Sequence, residues 1–189
     1  FLAKYNSDGV LQWAVTLGFS EEDYIQGIAT DDNANIYIAG YFRGTATFGD
    51  STLTNTTLDD GFLIKYNTNG IPIWGVQTVA SAYSESYDIA VKNDRLYWVG
   101  TAEGTTIIGT DSYYIQNNED AFIAQYDTTG AYLWSTTVIS EDASYAYAVA
   151  VADNGDFYFG GETYETTTIG DTTYNVSEDD NAFIAKYDA

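Results

Sequence analysis

Phe122-Ile123-Ala124-Gln125-Tyr126-Asp127 repeats two stretches met earlier in the chain, Phe1-Leu2-Ala3-Lys4-Tyr5-Asn6 and Phe62-Leu63-Ile64-Lys65-Tyr66-Asn67. Phe183-Ile184-Ala185-Lys186-Tyr187-Asp188 opens a fourth copy. The phenylalanines stand 61, 60 and 61 residues apart. Other landmarks keep the same step: Trp13, Trp74 and Trp134; Tyr37, Tyr97 and Tyr158, each followed three residues later by Gly40, Gly100 and Gly161; and Phe48-Gly49, Ile108-Gly109 and Ile169-Gly170. Independent landmarks returning together define an internal repeat. The units are residues 1–61, 62–121 and 122–182, with 183–189 as the first strand of a fourth.

Within a unit every signal is β. Phe122, Ala124 and Tyr126 alternate with Ile123 and Gln125, the period of a strand with two distinct faces. The turn that follows, Asp127-Thr128-Thr129-Gly130, has the counterparts Asn6-Ser7-Asp8-Gly9 and Asn67-Thr68-Asn69-Gly70. An Asx residue opens such a turn and a glycine supplies the positive φ at its end. A second strand carries the tryptophan, a third runs Ala148–Val151 and a fourth Phe157–Phe159, while Thr166–Tyr174 reads as an added threonine-rich hairpin. The one proline, Pro72, sits near the start of a second strand, where a missing N–H is tolerated.

Ile36-Tyr37-Ile38-Ala39 and Leu96-Tyr97-Trp98-Val99 are apolar on both faces, so they must be covered from two sides. Four-stranded sheets stacked face to face do this. The expected fold is all-β, a β-propeller-type repeat array of about 60 residues per four-stranded blade plus an extra hairpin. Three units leave sheet edges open. The expectation is therefore an array that continues, as a segment of something longer, or copies that assemble until the apolar ends are covered.

Composition narrows function. The 189 residues hold 6 Lys and Arg against 28 Asp and Glu, a formal charge of −22, with no Cys, His or Met. Cys- and His-based nucleophiles, the Ser-His-Asp triad, disulfides and Cys/His zinc sites are excluded. Phosphate polyanions and anionic membranes repel such a chain, so no nucleic-acid partner and no membrane insertion are expected.

Ala121-Phe122-Ile123-Ala124-Gln125-Tyr126-Asp127-Thr128-Thr129-Gly130 with Trp134 resembles the opening motif of SBBP repeats, a family of seven-bladed β-propeller repeats. Gly27-Ile28-Ala29-Thr30-Asp31 through Asn35-Ile36-Tyr37-Ile38-Ala39-Gly40 resembles that family's next motif. Lys92–Arg95 and the threonine-rich insertion depart from the pattern. The resemblance implies a large secreted or cell-surface bacterial protein with non-enzymatic repeats, and it supplies no catalytic residue.

Acidic turns are the candidate metal chemistry. Asp31-x-Asn33-x-Asn35 begins like an EF-hand loop, but Ile36 and Phe42 stand where that loop needs Gly and Glu. A looser Ca²⁺ site is the alternative at Asp31 and Asp32, at Asp153 and Asp156, at Glu21, Glu22 and Asp23, or at Asp179 and Asp180; Asx-turns explain the same residues without a metal. Asp59, Glu119 and Asp180 recur three residues before the strand phenylalanine, and Asp60 and Asp120 follow them with Asn181 in the third unit. Recurrence points to turns or to pairing with Lys4, Lys65 or Lys186.

Aromatics are the candidate ligand chemistry, because rings stack on glycan faces. Trp13, Trp74 and Trp134 recur in register and read as core. The non-recurring Trp98, Tyr113, Tyr114 and Tyr132, with Tyr83 and Tyr164, are the glycan candidates. Asn55-Thr56-Thr57 and Asn175-Val176-Ser177 match glycosylation acceptors. The functional expectation is a non-catalytic structural or adhesive module, extracellular or on a bacterial cell surface, with no cofactor unless Ca²⁺. Its partners would be further repeats of the same chain, other copies of it, or surface glycans. The alternatives are a subunit of a self-assembling surface filament and a carbohydrate-binding or carbohydrate-hydrolysing propeller.

Overall fold

The computed structural model describes residues 1–18, 20–55, 58–176 and 180–188, and only the backbone of residue 117. All regular structure among them is β-strand. Among the described residues no helix is long and apolar enough to cross a membrane.

The chain opens with a hairpin of β1 (Leu2–Tyr5) and β2 (Leu11–Val15). Next come β3 (Asp23–Thr30), β4 (Ile36–Phe42), a small hairpin of β5 (Thr45–Phe48) and β6 (Ser51–Thr54), then β7 (Asp60–Tyr66) and β8 (Pro72–Ala80). Here β3, β4, β7 and β8 pair in that order as an antiparallel sheet. A second sheet has β9 (Ser84–Lys92), β10 (Arg95–Ile108), β11 (Asp111–Asp127) and β12 (Tyr132–Ser140). Its small hairpin is the far end of β10 paired with the near end of β11, beyond a register shift at Ala102/Gly104. The third sheet joins β13 (Ser144–Val151), β14 (Phe157–Thr163) and β17 (Asn181–Tyr187), with β15 (Thr167–Ile169) and β16 (Thr172–Tyr174) as the hairpin.

These sheets are out of phase with the sequence units 1–61, 62–121 and 122–182. Phe62 opens a unit, yet it lies in the third strand of the first sheet, paired with Gly40 of the unit before. The most visible sequence landmark is a tight turn, whereas a sheet is bounded by where lateral hydrogen bonding passes on. Among the described residues the sheets do not close into a ring.

The turns form as their residues dictate. Asn6 Oδ1 accepts the N–H groups of Asp8 and Val10, Asn67 Oδ1 those of Asn69 and Ile71, and Asp127 Oδ1 those of Thr129 and Ala131. Each turn is followed by the same cross-strand pairing: Lys4 faces Trp13, Lys65 faces Trp74 and Gln125 faces Trp134.

Two-sided burial is realised by alternation. Along β4, Ile36 and Ile38 point into a cluster with Leu2, Phe62 and the Trp13 ring, while Tyr37 and Ala39 point into one with Leu63, Trp98 and Phe122. Along β10, Trp98 joins that second cluster, while Tyr97 and Val99 join a third with Ile123, Phe157 and Phe159. Every fully apolar strand is therefore a partition between two cores, and the hydrophobic effect glues sheet to sheet rather than closing one central core.

The recurring glycine has a steric cause. The strands β3, β9 and β13 approach one another from sheet to sheet, the inner strands of the stack, and each bulges at one position, occupied by Gln26, Tyr87 and Tyr147. Each bulge pushes a carbonyl toward the facing glycine. A Cβ on Gly40, Gly100 or Gly161 would lie 1.9, 2.0 or 1.8 Å from the carbonyl oxygen of Tyr24, Glu85 or Tyr145. The small hairpins latch neighbouring sheets: Thr106 on β10 pairs with Ala80 on β8, and Thr167 on β15 pairs with Ser140 on β12.

Candidate functional site

The recurring carboxylates have structural duties. Asp60 and Asp120 are buried, and their Oδ1 atoms accept the N–H of Ala80 (3.0 Å) and Ser140 (2.9 Å) at the ends of β8 and β12. Burial raises both carboxyls above the ordinary range, Asp120 to about 6. Asp59 accepts a two-pronged contact from Arg43, Nε and Nη2 each at 2.8 Å, and Glu119 accepts Tyr83 and Tyr145 hydroxyls.

The expected pairing of these acids with lysines is not what the structure holds. Lys4 Nζ donates to the Thr68 carbonyl (3.2 Å) and Lys65 Nζ to that of Thr128 (2.8 Å), in each case the turn of the next unit. Lys186 pairs with Asp156 and Asp188, both at 2.8 Å. The extended lysine side chains reach along the stacking direction, while the acids lie at the other end of their strands.

The calcium candidates are similarly engaged. Burial would raise the Asp31 carboxyl, but donors from Asn35, Tyr37 and the Asn33 backbone hold it below its usual range. Asp32 lies beside it in a surface groove that also takes in Lys92 and Asp94. Asp153 pairs with Lys92 at 2.8 Å, and Asp156 with Lys186. Glu21 and Glu22 lie near the Arg43 guanidinium, whose pKa is raised chiefly by the Asp59 contact and further by these two. Among the described residues no three carboxylates gather as a metal ligand set. Asp179 lies outside the described residues, as do Thr56, Thr57 and Ser177 of the two glycosylation tripeptides.

The glycan candidates divide. Trp98 is 0% exposed and packs edge-on to Phe122 with ring centroids 5.5 Å apart, so it is core and presents no face to a sugar. It fails to recur because Ile38 and Phe159 fill the same place in the neighbouring sheets, both buried. Tyr113 and Tyr132 are half-buried and share Ser135 Oγ, at 2.7 and 2.6 Å; Tyr132 also donates to Asp111 (2.6 Å). Tyr114, 72% exposed, stands on the hairpin beside a cavity of about 400 Å³ that also takes in Ile115, Asp120 and Ile139.

A belt of phenols and carboxylates crosses the inner strands of all three sheets. Tyr24 packs on Tyr41 (5.0 Å between centroids), Tyr87 on Tyr147 (5.3 Å), and Tyr147 stacks on Tyr145 (5.9 Å, 7°). Tyr87 donates to Glu85 (2.9 Å), Tyr145 to Glu119 (2.9 Å) and Tyr147 to Glu162 (2.5 Å). Tyr164 packs edge-on to Tyr145, and the nearby Asp180 carboxylate raises its phenol. Burial, then the adjoining carboxylates, push the Tyr87, Tyr145 and Tyr147 phenols up, so they stay protonated donors. Burial also raises Glu85. The belt offers ring faces and negative oxygens, a combination suited to hydrogen-bonding or cationic groups. Tyr83 and Tyr164 were legible in the sequence; Tyr87 and Tyr147 were not, although Tyr145-Ala146-Tyr147 places two rings within three residues.

Comparison with known proteins agrees with the repeat reading. The SBBP family model, described as a beta-propeller repeat, matches residues 12–41. An uncharacterized WD repeat-containing protein of Acanthamoeba polyphaga mimivirus is 27% identical over a 179-residue alignment covering 73% of this chain and 13% of the relative. The alignment thus spans a small part of that relative's length. The chain is an all-β repeat module carrying a propeller-type repeat.

Proposed function

We propose that the sheets are blades of a β-propeller and that the chain is a non-catalytic structural or adhesive module of a secreted or surface protein of a bacterium. The observation that carries the non-catalytic part is how the recurring acids and the turn acids are used. Asp60 and Asp120 bind strand ends, Asp31 and Asp127 bind their own turns, and Asp59 binds Arg43. Such groups hold the fold rather than face a substrate.

Adhesion would use the inner-strand belt, where ring faces lie beside carboxylates. The test is a glycan array and a basic-peptide panel probed with the chain, repeated with Tyr87→Phe/Tyr147→Phe. Binding that weakens in the variant with an unchanged melting curve supports the reading. Turnover in a glycoside hydrolase screen overturns it.

A further inference from the structure

We propose that the cavity between β12 and the small hairpin of the second sheet binds a primary carboxamide, the side chain of a glutamine on a partner polypeptide, through Asp120 Oδ2 and the Tyr114 backbone. The site lies on the strand of its sheet farthest from the inner-strand belt, and it goes beyond the adhesive reading without depending on it.

The first sheet carries its own copy of that ligand. Gln77 on β8 reaches the small hairpin of β5 and β6 and uses its whole carboxamide. Its Oε1 accepts the Thr54 N–H at 2.8 Å, and its Nε2 donates to the Thr54 carbonyl at 3.1 Å and to Asp60 Oδ2 at 3.3 Å. Asp60 Oδ1 meanwhile accepts the Ala80 N–H at 3.0 Å. The buried acid thus divides its work, one oxygen for a strand end and one for a carboxamide.

The second sheet repeats this frame without the amide. Phe62 faces Gln77 and Phe122 faces Thr137, so Thr137 stands where Gln77 does. Thr45 faces Thr54 and Thr105 faces Tyr114, so Tyr114 stands where Thr54 does. In each hairpin this pair is the fourth from the loop and not mutually hydrogen-bonded, so the Tyr114 N–H and C=O face away from β10, as those of Thr54 face away from β5 to meet Gln77. Asp120 Oδ1 accepts the Ser140 N–H at 2.9 Å, matching Asp60 and Ala80, but its Oδ2 meets no second donor among the described residues. Burial raises Asp60, and the Asn55 and Gln77 carboxamides help to draw it back; Ile115 and Thr137 in their places give Asp120 no such donor.

The exchange of glutamine for threonine leaves a cavity of about 400 Å³, lined by Tyr114, Ile115, Gln116, Asp120, Thr137 and Ile139. Asp120 lines it while only 7% exposed, so an acceptor largely withdrawn from water is offered to whatever enters. A space of this size takes a carboxamide with the methylenes that carry it. The Tyr114 N–H selects among donors: a carboxamide has a carbonyl to accept it, and an ammonium or guanidinium does not. Because Gln77 is delivered from an extended strand, a glutamine on an extended partner segment is the occupant that the first sheet models.

The probe is N-acetyl-glutamine methylamide, titrated into the isotope-labelled chain and followed by NMR. The amide resonances of Tyr114, Ile115, Asp120 and Thr137 are expected to shift together with an affinity of about 1 mM. N-acetyl-methionine methylamide, similar in length but without the side-chain amide, is expected to bind about tenfold more weakly. Thr137→Gln supplies the carboxamide from within, and is expected to raise the melting midpoint by about 2–4 °C and to abolish the shifts. Asp120→Asn presents a donor in place of the Oδ2 acceptor and is expected to weaken binding about tenfold. Gln77→Thr opens the matching place over Asp60; its melting midpoint is expected to fall and to be partly restored by the probe. Absent shifts, a methionine probe bound as tightly, or a Thr137→Gln chain that binds like the unmodified one each overturns the proposal. N-acetyl-lysine methylamide bound more tightly than the glutamine probe also overturns it and makes the cavity a cation site. Binding gained only with Gln116→Ala overturns it too, because the chain's own Gln116 is then the occupant.

Discussion

Asp120 Oδ1 accepts the backbone N–H of Ser140 at 2.9 Å from within the protein, with its carboxyl pushed up to about 6 by burial. The folded state thus holds the Asp120 proton more tightly than the unfolded chain, whose carboxyl titrates near 3.8. This contribution to stability is fully present below about 3.8 and lost as pH rises through about 6, of order 3 kcal/mol at most. Asp120→Asn keeps the acceptor and removes the charge, as Asn181 does at this position of the third unit. The variant is expected to be more stable at neutral pH and to lose that pH dependence, read as the difference between two urea titration series. Asp120→Ala, which strands the N–H, is expected to cost about 1–3 kcal/mol.

Gly100→Ala tests the bulge. Its Cβ would stand 2.0 Å from the Glu85 carbonyl oxygen, which is backbone and does not rotate away. A loss of about 2–4 kcal/mol is expected in denaturant unfolding, with equal losses at Gly40 and Gly161. A neutral result would mean that the inner strand slides freely.

Trp98 tests the boundary between ligand and core. Trp98→Ala is expected to destabilise by about 3–5 kcal/mol through the cavity it leaves. Trp98→Phe should cost less, because it also removes an indole N–H with no partner among the described residues. Neither should change the affinity of a ligand for the molecules that remain folded.

Tyrosine titration tests the belt and the cores together. Burial pushes Tyr66 up to about 12, and Tyr87, Tyr145 and Tyr147 are raised as well. Their neutral forms favour the folded state, so stability is retained below about 10 and lost as pH rises through these values. Tyrosinate absorbance should therefore rise in two phases, exposed phenols first and the belt only with loss of the fold.

Calcium tests the acidic turns. Asp31 and Asp153 already have donors or a lysine, so Ca²⁺ is expected to raise the melting midpoint no more than magnesium or an equal ionic strength of sodium chloride, which screens the −22 charge. A calcium-specific rise would show that these turns rearrange around an ion.

The hairpin turns, the strand alternation at Phe122–Tyr126 and the two-sided apolar strands were legible because each is a local property: an Asx acceptor, a glycine with positive φ, a period of two. Trp98 was misread because its non-recurrence was taken to mark a ligand residue. A core place filled by Ile38 in one sheet and Phe159 in another has one environment and three residue types. Tyr87 and Tyr147 escaped because a bulge re-aims a side chain without altering the strand's composition.

By itself, the sequence determined the period, the all-β character and the need for each sheet to be covered on both faces, because those follow from chain chemistry within a few residues. Tertiary structure alone decided which strands share a sheet, which acids are buried, and that Lys4 and Lys65 reach a neighbour's turn rather than a carboxylate. Those outcomes depend on pairings between residues from twenty to some sixty positions apart, where through-space distance, not chain order, sets the energy.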